Sequence, residues 1–270
     1  MTVSEKRSRA WLTDRSKGRL VICRWYANEA MDLTTSFETA VPVDVFVRYD
    51  FFETRNAGAI LRATNPAAFA EVMDILRDFE LIDDDLILAG GEESGLAKRL
   101  NHVFRSRGWR EGRVDTEIKL VLHLMPFADA GETEVRVEES SVTNEGYKVD
   151  NVKDRIAMDL EWNAKDGNLD RDLAAYRSLY EAGLIDGAIL VTRTVDDLRA
   201  LGHRVRSAAG MDEESAKNFL RTSTTTNTKK LLPRLQRGDA GGCPVLAVAI
   251  CQRTWSGWGT ADDERSTLTD

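Results

Sequence analysis

One short apolar run limits what this chain can fold into. Residues 187–192 are glycine, alanine, isoleucine, leucine, valine and threonine, without a charged side chain at every second position. A strand with one solvent-exposed face shows such alternation, so this run predicts a strand buried on both faces. Residues 243–250, after the turn at Gly241-Gly242, form a second run of the same kind. Both require a sheet with helices on its two faces, which is an α/β architecture.

The remaining patterns predict the rest of the sheet and its helices. Apolar residues at helical spacing predict helices at residues 66–80, 170–182 and 195–206, and a further basic helix that ends near Gly108. Alternation predicts a half-buried strand at residues 117–124, and another strand is expected at 134–137. Residues 147–150 and 155–162 read as two short strands joined by a turn. This order predicts a central mixed β-sheet flanked by helices.

The net charge of the chain argues against one class of function. With 45 acidic and 37 basic residues the net charge is −8, which argues against a protein that coats nucleic acid nonspecifically, since that affinity comes mainly from neutralised phosphates. Two segments are nevertheless basic, residues 98–113 and 217–237. Such a run is typical of a solvated helix face or of a DNA-binding surface, and charge alone leaves both open.

The sequence also predicts the cellular location of the protein and the state of its cysteines. It has neither a transmembrane-length apolar run nor a signal-peptide pattern at its N-terminus, so we expect a cytoplasmic protein with no membrane partner. The cysteines are Cys23, Cys243 and Cys251, without a CxxC pair. We expect buried thiols, and neither a disulfide framework nor a structural zinc.

Three carboxylates in the predicted hairpin are the candidate catalytic residues. Asp159 and Glu161 are two apart in a strand, so they project to the same face, and the turn brings Asp150 back beside them. Converging carboxylates repel one another, and a divalent cation with oxygen ligands relieves that repulsion. Magnesium is the natural candidate, and it would activate a phosphodiester for hydrolysis. The alternative is that alternating acids simply mark the solvent face of a strand.

The segment 148–163 resembles the catalytic motif of the BglII-type restriction endonucleases, a group within the PD-(D/E)XK nucleases that also contains BamHI. That motif is an Asp, eight residues, an acid, one residue, and a Gln or Glu, which here corresponds to Asp150, Asp159 and Glu161. Most of the superfamily has Lys at the last position, and Glu161 resembles the BamHI variant. The family's middle acid is usually Glu, whereas Asp159 is shorter by one methylene.

The resemblance implies a function and a domain organisation. It implies a type II restriction endonuclease with the PD-(D/E)XK fold, in which Mg²⁺ supports sequence-specific hydrolysis of double-stranded DNA. A GATC-containing palindrome and a cognate DNA methyltransferase in the same restriction-modification system are further implications. Two-fold symmetric DNA also favours a homodimer. We expect one endonuclease domain over residues 1–270, with a nuclease core at about 86–250 and an N-terminal elaboration at 1–80.

The resemblance also points to further site residues. The family takes an Asn or Glu from the end of the helix before the motif, and Glu111 lies near that place, although an insertion at 116–147 separates it from the motif. Lys153 and Lys165 are close enough to replace the missing motif lysine. The alternative for both is an ordinary exposed lysine.

DNA contacts are expected outside the hairpin. Residues 222–230 are rich in hydroxyl, amide and ammonium groups, which bind phosphates and base edges, although a disordered loop has the same composition. Residues that directly follow the carboxylates are candidates for contacts beside the scissile phosphate. The predicted DNA-binding residues are Asn163, Lys165, Asn168, Arg171, Thr224, Thr225, Thr226, Asn227, Lys229 and Lys230.

Three other functions remain open at this point. The first is a nuclease with another role, such as repair or cleavage of modified DNA. The second is a noncatalytic DNA-binding protein, and the third is a metal hydrolase acting on small phosphate esters. A plasmid digest that gives discrete bands would separate the restriction enzyme from the first of these.

Overall fold

The computed structural model describes residues 33–88, 94–221 and 224–259, which form a seven-stranded mixed sheet covered by helices on both faces, and a separate hairpin. These residues belong to one structural unit, Asp32–Asp270, and the other unit, Met1–Met31, lies outside the described residues. The described strands are β1 (Leu33–Thr34), β2 (Asp50–Thr54), β3 (Arg110–Arg113), β4 (Thr116–Leu124), β5 (Arg136–Asn144), β6 (Lys148–Lys153), β7 (Ile156–Leu160), β8 (Gly187–Arg193) and β9 (Val245–Ile250). The described helices are α1 (Phe37–Ala40), α2 (Val43–Phe46), α3 (Ala57–Thr64), α4 (Pro66–Asp78), α5 (Asp83–Ile87), α6 (Gly95–Ser106), α7 (Gly167–Glu181), α8 (Asp196–Ala208), α9 (Glu213–Lys217) and α10 (Thr228–Arg237).

The central sheet has the strand order β1-β2-β9-β8-β7-β6-β3. Its middle three strands, β7, β8 and β9, are parallel, and the strands outside them pair antiparallel. The connections between the parallel strands run through α7 and through α8 to α10, as parallel pairing requires. The strand order confirms the α/β prediction with a mixed sheet.

Alternation along the middle strands creates two hydrophobic cores. In β8, Ile189 and Val191 face the core that contains α4, α6 and α8, whereas Ala188 and Leu190 face the core under α7 and α10. In β7, Met158 and Leu160 face the first core and Ala157 faces the second. Since neighbours in a strand point to opposite faces, Asp159 must point toward α7.

Most predicted elements are present with small shifts at their ends. The predicted helices at 66–80, 170–182 and 195–206 correspond to α4, α7 and α8, and the two apolar runs are β8 and β9. Strands β1 and β2 precede residue 80 and add to the edge of the sheet beside β9.

One predicted strand has the wrong environment. The strand expected to be half-buried at residues 117–124 is β4, which pairs along its whole length with β5 and is exposed on nearly every residue. Exposed apolar side chains on this hairpin include Ile118, Leu120, Leu122 and Val142. Alternation along β4 predicts one buried face, but no other described element packs on β4 and β5 closely enough to bury that face.

Two smaller expectations concern thiols and membranes. Cys243 and Cys251 are buried free thiols, as expected, and Cys23 lies outside the described residues. Among the described residues, none of the helices has the length and apolar character needed to cross a membrane.

Candidate active site

The β6–β7 hairpin brings two of the predicted carboxylates together. Its register pairs Asn151 with Met158, and the turn uses a left-handed backbone at Asp154 (φ 50°), which aspartate tolerates better than most residues. Asp150 and Asp159 follow as the next opposed residues. The backbone N–H of Asp150 donates to Asp159 Oδ1 (2.7 Å), and the N–H of Leu160 donates to Asp150 Oδ2 (3.4 Å).

Glu161 lies just beyond β7, and hydrogen bonds to its backbone N–H and carbonyl hold it in place. Its N–H donates to the carbonyl of Val191 (2.8 Å), which extends the pairing with β8. Its carbonyl accepts the hydroxyls of Thr192 (3.1 Å) and Thr226 (2.9 Å). The side chain is 4% exposed, and Asn168 Nδ2 donates to Glu161 Oε1 (3.4 Å). The backbone contacts therefore fix the direction in which this carboxylate leaves the sheet.

Helix α7 adds two residues that sequence analysis missed. Tyr176 donates from its hydroxyl to Asp159 Oδ2 (2.6 Å), and Asp172 is 1% exposed with a carboxylate beside Glu161. Arg171 donates from Nε and Nη2 to Asp172 Oδ1 (3.2 and 3.1 Å) and so brings a cation to the cluster. These contacts place a fourth carboxyl group in the candidate site.

A local signal for these residues was present in the sequence. Asn168, Asp172 and Tyr176 are four residues apart, and that spacing places them on one face of a helix. The spacing of Leu173, Tyr176 and Leu179 places Tyr176 on the apolar face of the helix predicted at residues 170–182, the face expected to cover the sheet. A polar residue on that face, opposite a strand with carboxylates, indicates a shared site.

Burial raises the pKa of all four carboxyl groups, Asp150, Asp159, Glu161 and Asp172. For Asp159 the largest cause of the raised pKa is desolvation, the charges of Asp172 and Asp150 add to it, and the Tyr176 hydrogen bond opposes it. Desolvation is also the main cause for Glu161, followed by the charge of Asp172. The metal-free site therefore holds protons at a pH where exposed carboxyl groups have lost them.

The carboxyl groups of Glu161 and Asp172 lie side by side, and the ionisation of one affects the pKa of the other. When both are ionised, Glu161 Oε2 and Asp172 Oδ2 are buried without a hydrogen-bond partner among the described residues. Two carboxyl groups bond to each other only if one is protonated. Burial raises the pKa of both groups, and the charge of Asp172 raises that of Glu161 further, which favours a protonated Glu161 beside an ionised Asp172.

The donor chemistry of this cluster fits a hard divalent cation. Carboxylate oxygens are its preferred ligands, and two of the oxygens here are buried without partners. The positions of the side chains are not preformed for it: within residues 33–88, 94–221 and 224–259, no group of three His, Cys, Asp or Glu could hold a metal ion as placed. A cation must therefore displace protons and turn side chains.

The structure places the other predicted catalytic candidates at the edge of this cluster or away from it. Glu111 lies on β3, beside β6, and its half-exposed carboxylate pairs with Lys148 Nζ (2.8 Å). Lys153 is not the ordinary exposed lysine of the alternative interpretation, because its Nζ contacts both carboxylate oxygens of Glu71 (2.6 and 2.7 Å) and the carbonyl of Arg107 (2.9 Å). Lys165 is exposed and lies on the segment that follows Glu161.

Two segments predicted to contact DNA are joined to each other. Lys165 forms an isolated bridge with Thr225, Thr226 N–H donates to Ala164 O (2.9 Å), and Asp166 N–H donates to Thr224 O (2.8 Å). We call residues 163–166 and 224–227 the paired loops. They lie directly beyond Glu161, because the Thr226 hydroxyl bonds to the carbonyl of that residue.

Individual residues of the paired loops and α10 differ in exposure. Asn163, Lys165, Thr224 and Lys229 are exposed. Thr226 is fully buried, and Asn227 is 7% exposed and caps α10 by accepting from Lys230 N–H (3.2 Å). Lys229 pairs with Asp196 (2.7 Å), and Lys230 Nζ lies 3.6 Å from Asp166 Oδ2. Thr222 and Ser223 lie outside the described residues.

A seven-stranded mixed sheet flanked by helices, with a cluster of carboxyl groups beside α7, is consistent with the class of restriction-endonuclease-like nucleases. Comparison with protein families adds that the family model described as "Restriction endonuclease BglII/BglIII" matches residues 49–250, well over half of the chain. The chain belongs to this family, which confirms the resemblance noted in the sequence. A search of curated proteins gave no match.

Family membership settles the class of activity. The protein is a site-specific deoxyribonuclease, a hydrolase that acts on phosphodiester bonds. Restriction endonucleases of this family generally use a divalent metal.

Proposed function

We propose that the chain is a type II restriction endonuclease that hydrolyses double-stranded DNA with Mg²⁺ at Asp150, Asp159 and Glu161. The observation that carries the proposal is the buried cluster of carboxyl groups at the end of the β6–β7 hairpin. It occurs in a chain of a site-specific deoxyribonuclease family. An acidic cluster of this kind is costly to bury, which favours a role in function over one in stability.

In this mechanism Asp150 and Asp159 hold the cation, and Glu161 is either a further ligand or the group that orients the attacking water. A bound divalent cation supplies Lewis acidity at the scissile phosphate and lowers the pKa of water. Tyr176 and the Asp150 N–H hold the two oxygens of Asp159 in place. Glu161 must lose its proton, after which its carboxylate can accept one from water. Glu111, on the neighbouring strand β3, would be a further ligand.

The remaining features of the proposal concern the substrate and the assembly. Exposed polar groups of the paired loops, Lys165 and Thr224 among them, contact the DNA beside the scissile phosphate, with Arg171 and Asn168 at the start of α7. We further propose a homodimer that cuts a palindrome, with a GATC core as the first sequence to test. A cognate methyltransferase would protect the same sequence in the cytoplasm of the host.

Replacing carboxylates in the cluster tests the proposal. Asp159→Asn and Asp150→Asn should abolish plasmid cleavage in Mg²⁺, because each removes a charged ligand, while DNA binding in Ca²⁺ persists. Glu181→Gln is the matched control, since Glu181 is an exposed acid at the far end of α7. Wild-type protein and control should give discrete bands, and sequencing of the cut ends gives the recognition site. An Asp159→Asn variant that cuts at the wild-type rate would falsify the site.

A further inference from the structure

A buried arginine without a counter-ion lies beneath the paired loops. Arg193 ends β8 and is 1% exposed. Its guanidinium donates to three neutral acceptors, which are Thr194 O (3.2 Å), Asn163 Oδ1 (3.1 Å) and Thr225 Oγ1 (3.0 Å). Its Nε–H is buried without a hydrogen-bond partner. The side chain is therefore held in place but its charge is not neutralised.

The surroundings of Arg193 do not supply the missing negative charge. Among the described residues no carboxylate forms an ion pair with it, although many other arginines have one. Burial is the main cause that lowers the pKa of Arg193 to about 10, and the next cause is the positive charge of Arg199. The group stays charged at neutral pH. Burying an unpaired charge is costly, so an anion that reaches this site gains unusually strong binding.

The position of Arg193 identifies the direction from which an anion arrives. Two of its three acceptors, Asn163 and Thr225, belong to the paired loops, where Asn163 is exposed and Thr225 half-exposed. Asn163 also has a left-handed backbone (φ 62°), which asparagine tolerates better than most residues. Both of these hydrogen bonds reach the guanidinium from the side of the paired loops. Arg193 is one residue from Thr192, which bonds to Glu161.

We propose that Arg193 is an internal receptor for a backbone phosphate of the bound DNA, which takes over the hydrogen bonds now made to Asn163 and Thr225. This inference rests on the proposed function for the identity of the ligand. A guanidinium binds two phosphate oxygens at once, and that geometry suits the fork that Arg193 presents. The exchange releases the Asn163 amide and the Thr225 hydroxyl at the moment DNA binds. Both are then available for base edges beside the cut.

Variants of Arg193 test the proposal without relying on cleavage. Arg193→Met keeps much of the side-chain volume and removes the charge, and Arg177→Met removes an exposed arginine on α7 as the matched control. The first measurement is affinity for a random-sequence duplex in Ca²⁺ over a salt series. The slope for Arg193→Met should fall by about one relative to the control, because one phosphate contact is lost.

The second measurement uses inorganic phosphate as the probe and requires no DNA. Wild type and Arg177→Met should gain about 2 to 4 °C in melting temperature once phosphate reaches about ten times its dissociation constant, and Arg193→Met should not. If the salt slope and the phosphate response of Arg193→Met match those of the control, the proposal is wrong. Should Arg193→Met fail to fold, Arg193→Lys keeps the charge without the fork, and an unweakened phosphate response in that variant overturns the proposal.

The outcome is separable from that of the proposed function. If wild-type protein fails to cut DNA in Mg²⁺ while the Arg193-dependent phosphate response persists, the anion site stands and the nuclease proposal fails. If wild-type protein cuts DNA in Mg²⁺ and no Arg193-dependent response is seen, the nuclease proposal stands and the anion site fails.

Discussion

At the scale of single residues, the candidate active site is a cluster of carboxyl groups that are protonated more readily than exposed ones when no metal is bound. Asp159 and Glu161 are almost fully buried, and each has a pKa raised chiefly by desolvation. A raised pKa in the folded state means that folding takes up protons, so stability decreases as pH rises from the ordinary carboxyl pKa through the raised one. The metal-free protein should therefore be more stable at about pH 6 than at about pH 9.

Glu161→Gln should remove part of this pH dependence. The amide keeps the shape of the carboxyl group and can donate to Asp172 Oδ2 at any pH, which a deprotonated Glu161 cannot do. In EDTA at about pH 9 we expect the variant to be more stable than wild type by at least about 1 kcal/mol, the equivalent of about one pKa unit. Denaturant unfolding at both pH values measures this, with Glu181→Gln as the control. Parallel pH profiles for wild type and Glu161→Gln would contradict the proton assignment.

Tyr176 is a positioning residue for Asp159. Tyr176→Phe removes only the hydroxyl that donates to Asp159 Oδ2. We expect a stability loss of about 1 kcal/mol, a several-fold fall in the cleavage rate and unchanged DNA affinity in Ca²⁺. In the wild type the Tyr176 hydrogen bond lowers the pKa of Asp159. Its removal should raise that pKa, so the pH profile of cleavage should shift toward higher pH. A purely structural tyrosine would change stability and leave the pH profile in place.

At the scale of elements, the β4–β5 hairpin is separate from the sheet that carries the site. Its strands are paired from Thr116↔Asn144 to Leu124↔Arg136, and their side chains are exposed almost throughout. The acidic residues of the hairpin outnumber the basic ones, which disfavours contact with phosphates. The acidic residues are Glu117, Asp129, Glu132, Glu134, Glu138 and Glu139, and the basic ones are Lys119 and Arg136.

A chain in which residues 117–143 are replaced by a short Gly-Ser turn should fold normally. Thr116 and Asn144 are paired neighbours, so a short turn closes the gap, and little buried apolar surface is lost. We expect a melting temperature within about 3 °C of the full chain and the same affinity for duplex DNA. Calorimetry and a binding titration check both. A loss of the cooperative transition would show that the hairpin is required for folding.

At the scale of the whole molecule, the open question is how one carboxyl cluster serves two DNA strands. A palindrome presents two equivalent phosphates, and two copies of the chain match them most simply. Light scattering at micromolar concentration should therefore give about twice the chain mass of 30.2 kDa. A monomer that makes double-strand breaks in a single binding event would contradict this and indicate sequential nicking.

Local patterns in the sequence were sufficient to predict the fold class and the adjacency of two carboxylates of the candidate site. Unbroken apolar runs identified the buried strands β8 and β9. The two-residue period of a strand and one turn were enough to place Asp150 and Asp159 side by side, because both rules act over a few residues.

Tertiary structure decided what surrounds that core. Asp172 and Tyr176 join the site because α7 packs across the sheet, and Thr226 is buried because its loop bonds to a strand end 65 residues earlier. The hairpin alternates like a half-buried strand yet is exposed, since burial depends on which element lies opposite. In the sequence Arg193 is simply the residue that ends an apolar strand. In the structure the paired loops pack against it, and its charge is buried without a counter-ion. The spacing of residues within one segment does not predict such contacts, because the contacts join segments that are distant in the chain.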